Sequence, residues 1–131
     1  LTTPNRPGAT AARTMHIGEL AEETGLSLRT IRHYDDVGLL PATTRTDGGF
    51  RVYTEADLAR LLVIRSMKPL GFTLEQMAEL LDAIGRLDGA DAHPDDQDLL
   101  VRYISEAEAK REKLARNLRQ ADEFIHSLQT R

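Results

Sequence analysis

Cysteine is absent from the 131-residue chain, which excludes disulfides, thiolate metal sites and cysteine redox switches. Long hydrophobic runs are missing as well. Nothing approaches the roughly 20 apolar residues that cross a bilayer, and no segment has the order of a signal peptide. A cytoplasmic protein without a membrane partner is the expectation. No Gly-rich phosphate loop occurs, and no grouping of His and carboxylates proposes a catalytic site, so an enzyme is not expected. Charge of one sign is in small excess: the net value is −4. That sum hides a division. Residues 1–70 carry nine Lys/Arg against eight Asp/Glu, and residues 71–131 carry eight against thirteen. If nucleic acid is bound, the first half must do it with a local patch.

What is present is helical punctuation. The opening "LTTPNRPGATAART" has no periodicity and predicts a disordered extension over residues 1–14, native or added, with order beginning near His16. "IGELAEETGLS" predicts a short helix with Ile17, Leu20 and Ala21 at helical spacing, stopped by Gly25. Ser27 stands where an N-cap belongs, and a second helix is expected to run to about Val37 before Gly38. After Pro41 the pattern alternates, and "TTRTDGGFRVY" reads as two short strands around Asp47-Gly48-Gly49. Thr54 with Asp57, then Thr73 with Gln76, are capping-box spacings. They open helices with Leu58, Leu61, Leu62 and Ile64, and with Leu74, Met77, Leu81 and Ile84, available for the core.

"GRLDGADAHPDD" interrupts the pattern and predicts a linker over 85–94. From there Leu100, Ile104, Ala107, Arg111, Leu114, Leu118, Ala121, Ile125 and Leu128 recur by alternating steps of four and three, and all but Arg111 are apolar. Such a 3.5-residue repeat predicts a coiled-coil seam on a helix over 95–131. At ~1.5 Å per residue the helix would reach roughly 50 Å, too long for the preceding residues to cover. It needs a partner.

On a helical wheel, "LRTIRHYDDV" places Leu28, Ile31 and Tyr34 on one side and Arg29, Arg32, His33 and Asp36 on the other. A short helix, a Gly-containing turn and a second helix with arginines facing outward have the organisation of a helix-turn-helix. Arg suits the role because its planar donors span guanine acceptors or clamp a phosphate. Arg45 and Arg51 on the following hairpin add a basic projection, as a wing would.

The run "IGELAEETGLSLRTIRHYDDVGLLPATTRTDGGFRVYTEADLARL" followed by "KPLGFTLEQMAELL" resembles the MerR family of bacterial transcription regulators from about His16 to Ala83. The resemblance implies a mainly α fold: a winged helix-turn-helix DNA-binding domain over 15–84 with a small β-hairpin wing, then a helix pair and a long C-terminal helix forming an antiparallel dimeric coiled coil. It implies base and phosphate contacts at Ser27, Arg29, Thr30, Arg32, His33 and Tyr34, and wing contacts at Gly49 and Arg51, with Tyr53 supporting the wing or reaching a phosphate. His33 stands where many members have Tyr, and Phe50 replaces the commoner Tyr of Gly-Tyr-Arg. The implied partners are double-stranded promoter DNA carrying an inverted repeat, a second copy of the chain, and RNA polymerase at that promoter. The implied mechanism bends and untwists the promoter spacer.

Sensing is less visible. Metal- and redox-sensing branches use cysteines, which are lacking here, and Arg131 lies too close behind Leu128 for a further ligand-binding domain to be expected. His93 among the aspartates of "DGADAHPDDQD" suggests a metal site less readily than a helix N-terminus, where acidic residues favour the dipole. Met15, Met67 and Met77 suit a start residue and core positions. No cofactor or metal is expected. An architectural or excision-type accessory protein and a coiled-coil interaction adaptor are the competing classes; the first would not require the seam, and the retained arginines and Gly-Gly wing count against the second.

Overall fold

A computed structural model describes residues 13–40 and 48–131. The chain divides into two compact units, the first ending at Lys68 and the second beginning at Pro69.

In the first unit, strand β1 (Thr14–Met15) pairs antiparallel with β2 (Tyr53–Thr54), with Thr14 opposite Thr54 and Met15 opposite Tyr53. Thr14 therefore lies in a strand, ahead of His16 where order is expected to begin, and residues 1–12 of the expected extension lie outside the described residues. Arg13 is tied down as well, donating from one terminal nitrogen to Glu55 and from the other to Glu23, each at 2.8 Å. No local pattern marks this strand because its hydrogen-bonding partner lies about forty residues further on.

Helix α1 (Ile17–Thr24) is closed by Gly25 at φ 73°, in the left-handed region where Gly carries no Cβ penalty. The Thr24 hydroxyl, fully buried, donates to the Leu20 carbonyl and accepts from the Leu26 N–H, which shapes the turn. Helix α2 (Leu28–Asp36) starts from Ser27, whose Oγ accepts from the Thr30 N–H at 3.0 Å. Helix α3 (Glu55–Met67) starts from Thr54, and the reciprocal box is complete: Thr54 Oγ1 accepts from the Asp57 N–H, and Asp57 Oδ2 accepts from the Thr54 N–H. Caps of this kind contribute about 1 kcal/mol each. The core gathers Met15, Leu20, Ile31, Tyr34, Leu61 and Ile64. Leu28, placed on the apolar side by the wheel, is 40% exposed. Two arginines of α3 brace the helix-turn-helix from behind, Arg65 donating to the Thr24 carbonyl at 2.7 Å and Arg60 to the Leu39 carbonyl at 2.9 Å.

A 3₁₀ turn (Lys68–Leu70) leads on from α3. In the second unit, α4 (Leu74–Asp88) begins at a complete Thr73/Gln76 box, and α5 (Pro94–Gln129) runs for 36 residues, about 54 Å. The expected linker over 85–94 shrinks to residues 89–93. Gly85 costs about 1 kcal/mol inside a helix, and packing of α4 on α5 outweighs it. Helix α4 accordingly belongs to the same compact unit as α5, where the sequence places 74–84 with the DNA-binding residues. Helix α4 buries Met77, Leu81 and Ala83 and packs along α5, where Tyr103 is buried and its hydroxyl donates to Glu79 at 2.6 Å.

The turn into α5 is latched by charge. Arg86 grips Asp96 through Nε and Nη2 at 2.8 to 3.1 Å, while Asp96 Oδ2 also accepts from the His93 N–H. His93 is thereby an N-cap, with its Nδ1 accepting from the Asp95 N–H. The Arg86 hydrogen bonds, then the backbone one, hold the Asp96 carboxyl below its ordinary value of 3.8. A depressed carboxylate contributes stability above its unfolded pKa and loses it as the pH falls through the folded one. Asp96→Asn keeps the cap but removes the charge, so its melting temperature should lie below that of the parent at neutral pH. The gap should close below about pH 3.8. Circular dichroism melts across that range check this; a gap independent of pH would detach the latch from the Asp96 charge.

Candidate nucleic-acid interface

Helix α2 is held by its apolar side and exposes its basic one. Ile31 is fully buried and Tyr34 is 3% exposed, while Arg29, Arg32 and His33 are open to solvent. The 100° step per residue makes these two sets opposite faces of one helix. Ser27 and Thr30 sit at its start, and the Ser27 hydroxyl is engaged in capping and in donating to Thr30 Oγ1 at 2.9 Å. Tyr34 stands apart from the other residues expected at the site. Its ring lies in the core, 5.7 Å from the His33 ring, where it anchors the helix.

The wing residues meet α2 at one carboxylate. Arg51 Nε lies 2.7 Å from Asp35 Oδ2, the Tyr53 hydroxyl donates to the same oxygen at 2.9 Å, and the Arg51 guanidinium stands 5.1 Å from the Tyr53 ring centroid. Tyr53 is 2% exposed. Burial, then the Asp35 hydrogen bond, push its hydroxyl pKa up, which keeps it a neutral donor. Of the two roles expected for Tyr53, this geometry fits support of the wing. Gly49 has φ 84°, which a side chain there would strain. Arg45 and the first arm of the expected hairpin lie outside the described residues.

Between α2, the wing and the start of α1 opens a cleft of about 610 Å³ lined by His16, Ile17, Arg32, Asp35, Phe50, Arg51 and Tyr53. Asp35 and His16 were not among the residues expected from the sequence. No motif marks Asp35 in the sequence, and only the return of the chain at Arg51 and Tyr53 reveals its partners. His16 carries no motif of its own. It enters the site because β1 draws the start of α1 against the second arm of the wing. Phe50 is 69% exposed beside these groups. Chemically, the surface offers two outward guanidiniums on a rigid helix and a basic wing pinned beside them. That suits the acceptor-rich major groove and the phosphates bordering it.

Such a helix-turn-helix with an adjoining wing, followed by a unit with a long helix, defines a class of DNA-binding regulator. Two families match along the chain, one described as MerR HTH family regulatory protein over residues 15–84 and one as MerR, DNA binding over residues 58–124. The mercuric resistance operon regulatory protein of Bacillus cereus is 39% identical over 100 residues, covering 76% of this chain and 74% of that protein. The nodulation protein NolA of Bradyrhizobium elkanii is 44% identical over 70 residues, and there the chain spans only 32% of the relative's length. Among solved structures, HiNmlR, a MerR family regulator lacking the sensor domain and bound to promoter DNA, superposes with a TM-score of 0.68 at 24% identity, covering 88% of each chain. The chain belongs to the MerR family of DNA-binding transcription regulators. It is not a family of enzymes. Among the described residues, no helix is long and apolar enough to cross a membrane.

Proposed function

We propose that the chain regulates transcription as a homodimer, each copy placing α2 in the major groove of one half of an inverted repeat in a promoter, with RNA polymerase bound at the same site. The observation that carries this reading is the opposition on α2 of a buried apolar face to exposed Arg29, Arg32 and His33, with Arg51 fastened beside them through Asp35. Gly49 shapes the wing, and Ser27 and Thr30 fix the start of the helix. The dimer is supported by the seam on α5. Within one protomer, Ile104, Leu114, Leu118, Ile125 and Leu128 are each about half exposed, between 47% and 64%. So much apolar surface along one stripe calls for a partner. A two-fold dimer presents two identical helices, and the operator mirrors that symmetry.

Arg29→Ala should cost about 1 to 3 kcal/mol against the best operator and far less against a random duplex, relaxing preference at one position of each half-site. Titrations of both duplexes at several salt concentrations separate this from a phosphate contact, whose loss weakens all duplexes alike and flattens the salt slope. Equal losses on the two duplexes would remove Arg29 from base readout.

The regulatory step is bending and untwisting of the spacer between the half-sites. Protein contacts offset a deformation cost on the order of 1 to 10 kcal/mol. A fluorescent base analogue placed between the half-sites should brighten as its stacking is lost when the protein binds. Unchanged fluorescence in a saturated complex would instead make the protein a steric repressor.

A further inference from the structure

Helix α2 carries one large apolar side chain that the core does not take in. Ile31 and Tyr34 are buried, whereas Leu28 is 40% exposed at the first position of the helix, directly after the cap at Ser27. Its surroundings are charged. Arg29 follows it, and Arg32 and Asp35 stand four and seven residues on, so Leu28 heads a row whose other two members line the cleft beside the wing. A step of about 100° per residue turns Leu28 about 40° from Arg32 and about 60° from Ile31, at the border of the two faces.

A single exposed leucine on an ordinary surface needs no explanation. This one lies at the end of the helix whose residues meet base edges when a helix-turn-helix enters the major groove. Side chains of a helix lean toward its N-terminus, so the branched end of Leu28 projects beyond the first turn. That turn is held firmly. Ser27 Oγ accepts from the Thr30 N–H at 3.0 Å, and Ile31 is fully buried one turn on.

Most of what a base edge offers in the major groove is a hydrogen-bond donor or acceptor. A leucine pressed on such a group removes its water and returns no bond. One group differs: the C5 methyl of thymine is apolar, and a branched side chain can cover it without leaving a polar atom unpaired.

We infer that Leu28 is a specificity-determining residue, covering the C5 methyl group of a thymine in each half of the operator. This builds on the placement of α2 in the major groove proposed above and adds an apolar contact to the polar ones of the arginines. Cytosine at the same place lacks the methyl group and leaves Leu28 against water, so the contact separates the two pyrimidines.

Deoxyuridine keeps the hydrogen-bonding groups of thymidine and lacks the methyl, which makes the contact directly testable. The full-length protein first selects its preferred operator from a random duplex pool, and each thymine of the half-sites is then replaced in turn by deoxyuridine. At one position per half-site the parent should lose about fourfold in affinity, the equivalent of one buried methyl group. Leu28→Ala should bind the thymine and deoxyuridine duplexes alike at that position. Any effect of the exchange on the duplex itself is common to parent and variant. With cytosine at the position, adding a C5 methyl should strengthen the parent about fourfold and leave Leu28→Ala unmoved. Leu28→Gln, closer in size, gives the same reading if the alanine variant melts early. A selected operator without thymine in its half-sites, a parent indifferent to every deoxyuridine, or a methyl preference that persists in both variants overturns Leu28 as the methyl reader and leaves α2 in the groove. A parent that selects no sequence from the pool overturns both.

Discussion

Leu118→Glu should leave the chain monomeric at micromolar concentration and abolish the preference of the proposed dimer for a full inverted repeat over a single half-site. Leu118 is 64% exposed within one protomer, so the exchange barely disturbs the folding of that protomer; surface substitutions of this kind stay within about 0.5 kcal/mol. In the proposed dimer the same position is buried once in each copy. Losing a buried leucine costs about 2 to 5 kcal/mol, and a carboxylate left unpaired in an apolar seam adds to it. Two-fold symmetry applies the penalty twice, about 4 to 10 kcal/mol before the charge is counted, and since each ~1.4 kcal/mol raises Kd about tenfold, that lifts the Kd of a micromolar dimer far above the working concentration. Arg111→Leu is the contrasting variant. In the proposed seam its stem can pack while its charge reaches outward, so a small effect is expected. Sedimentation gives the assembly, and titration of full and half operators gives the consequence. A Leu118→Glu protein that still sediments as a dimer and still prefers the full repeat would take the seam out of the interface.

The features visible in the sequence were those written in short range. Ser27, Thr54 and Thr73 cap helices because a side-chain oxygen meets an N–H three residues on, and Gly25 and Gly38 end helices at positive φ. All of this is settled within one turn of chain. The 3.5-residue repeat of α5 is likewise a local rhythm. What stayed hidden depends on where distant segments arrive. Thr14–Met15 is a strand only because Tyr53–Thr54 lies beside it, and α4 passes through Gly85 only because α5 packs along it. Tyr34 illustrates a conflict between two signals: the helical wheel assigned it to the core, family likeness assigned it to DNA, and its ring is buried.

The same distinction governs the binding surface. Arg29, Arg32 and His33 announce themselves by spacing, since an amphipathic helix sorts its own residues. The orientation of the wing does not, because it depends on an acidic side chain of α2 meeting a strand that begins well beyond the helix. A helix can be basic by composition, yet the precision with which a second element is held beside it is a tertiary property. Specific recognition requires both, for phosphate contacts fix register and base contacts read sequence only from that register.

Asp35→Ala should therefore lower affinity for the operator about tenfold while leaving affinity for random DNA unchanged or raised. Asp35 Oδ2 receives both Arg51 Nε and the Tyr53 hydroxyl, and the Asp35 and Arg51 side chains are each 19% exposed. That places the pair between a surface ion pair, worth about 0 to 1 kcal/mol, and a buried one, whose disruption costs about 3 to 5 kcal/mol. An intermediate cost of about 2 kcal/mol falls on the wing's position relative to α2. Against it works a simpler effect: removing a carboxylate beside the DNA backbone favours any duplex, whatever its sequence. The two contributions act on different duplexes, so they can be separated. The electrostatic gain appears equally on operator and random DNA, and the positional loss appears on the operator alone. Tyr53→Phe removes one neutral donor and keeps the ion pair, so its effect on the same ratio should be smaller, about 1 kcal/mol. Parallel titrations of both duplexes, with thermal melts to follow the loss of the ion pair, measure each quantity. An operator-to-random ratio left unchanged by Asp35→Ala would mean that the wing finds its place without α2, and that the contact among Asp35, Arg51 and Tyr53 serves stability alone.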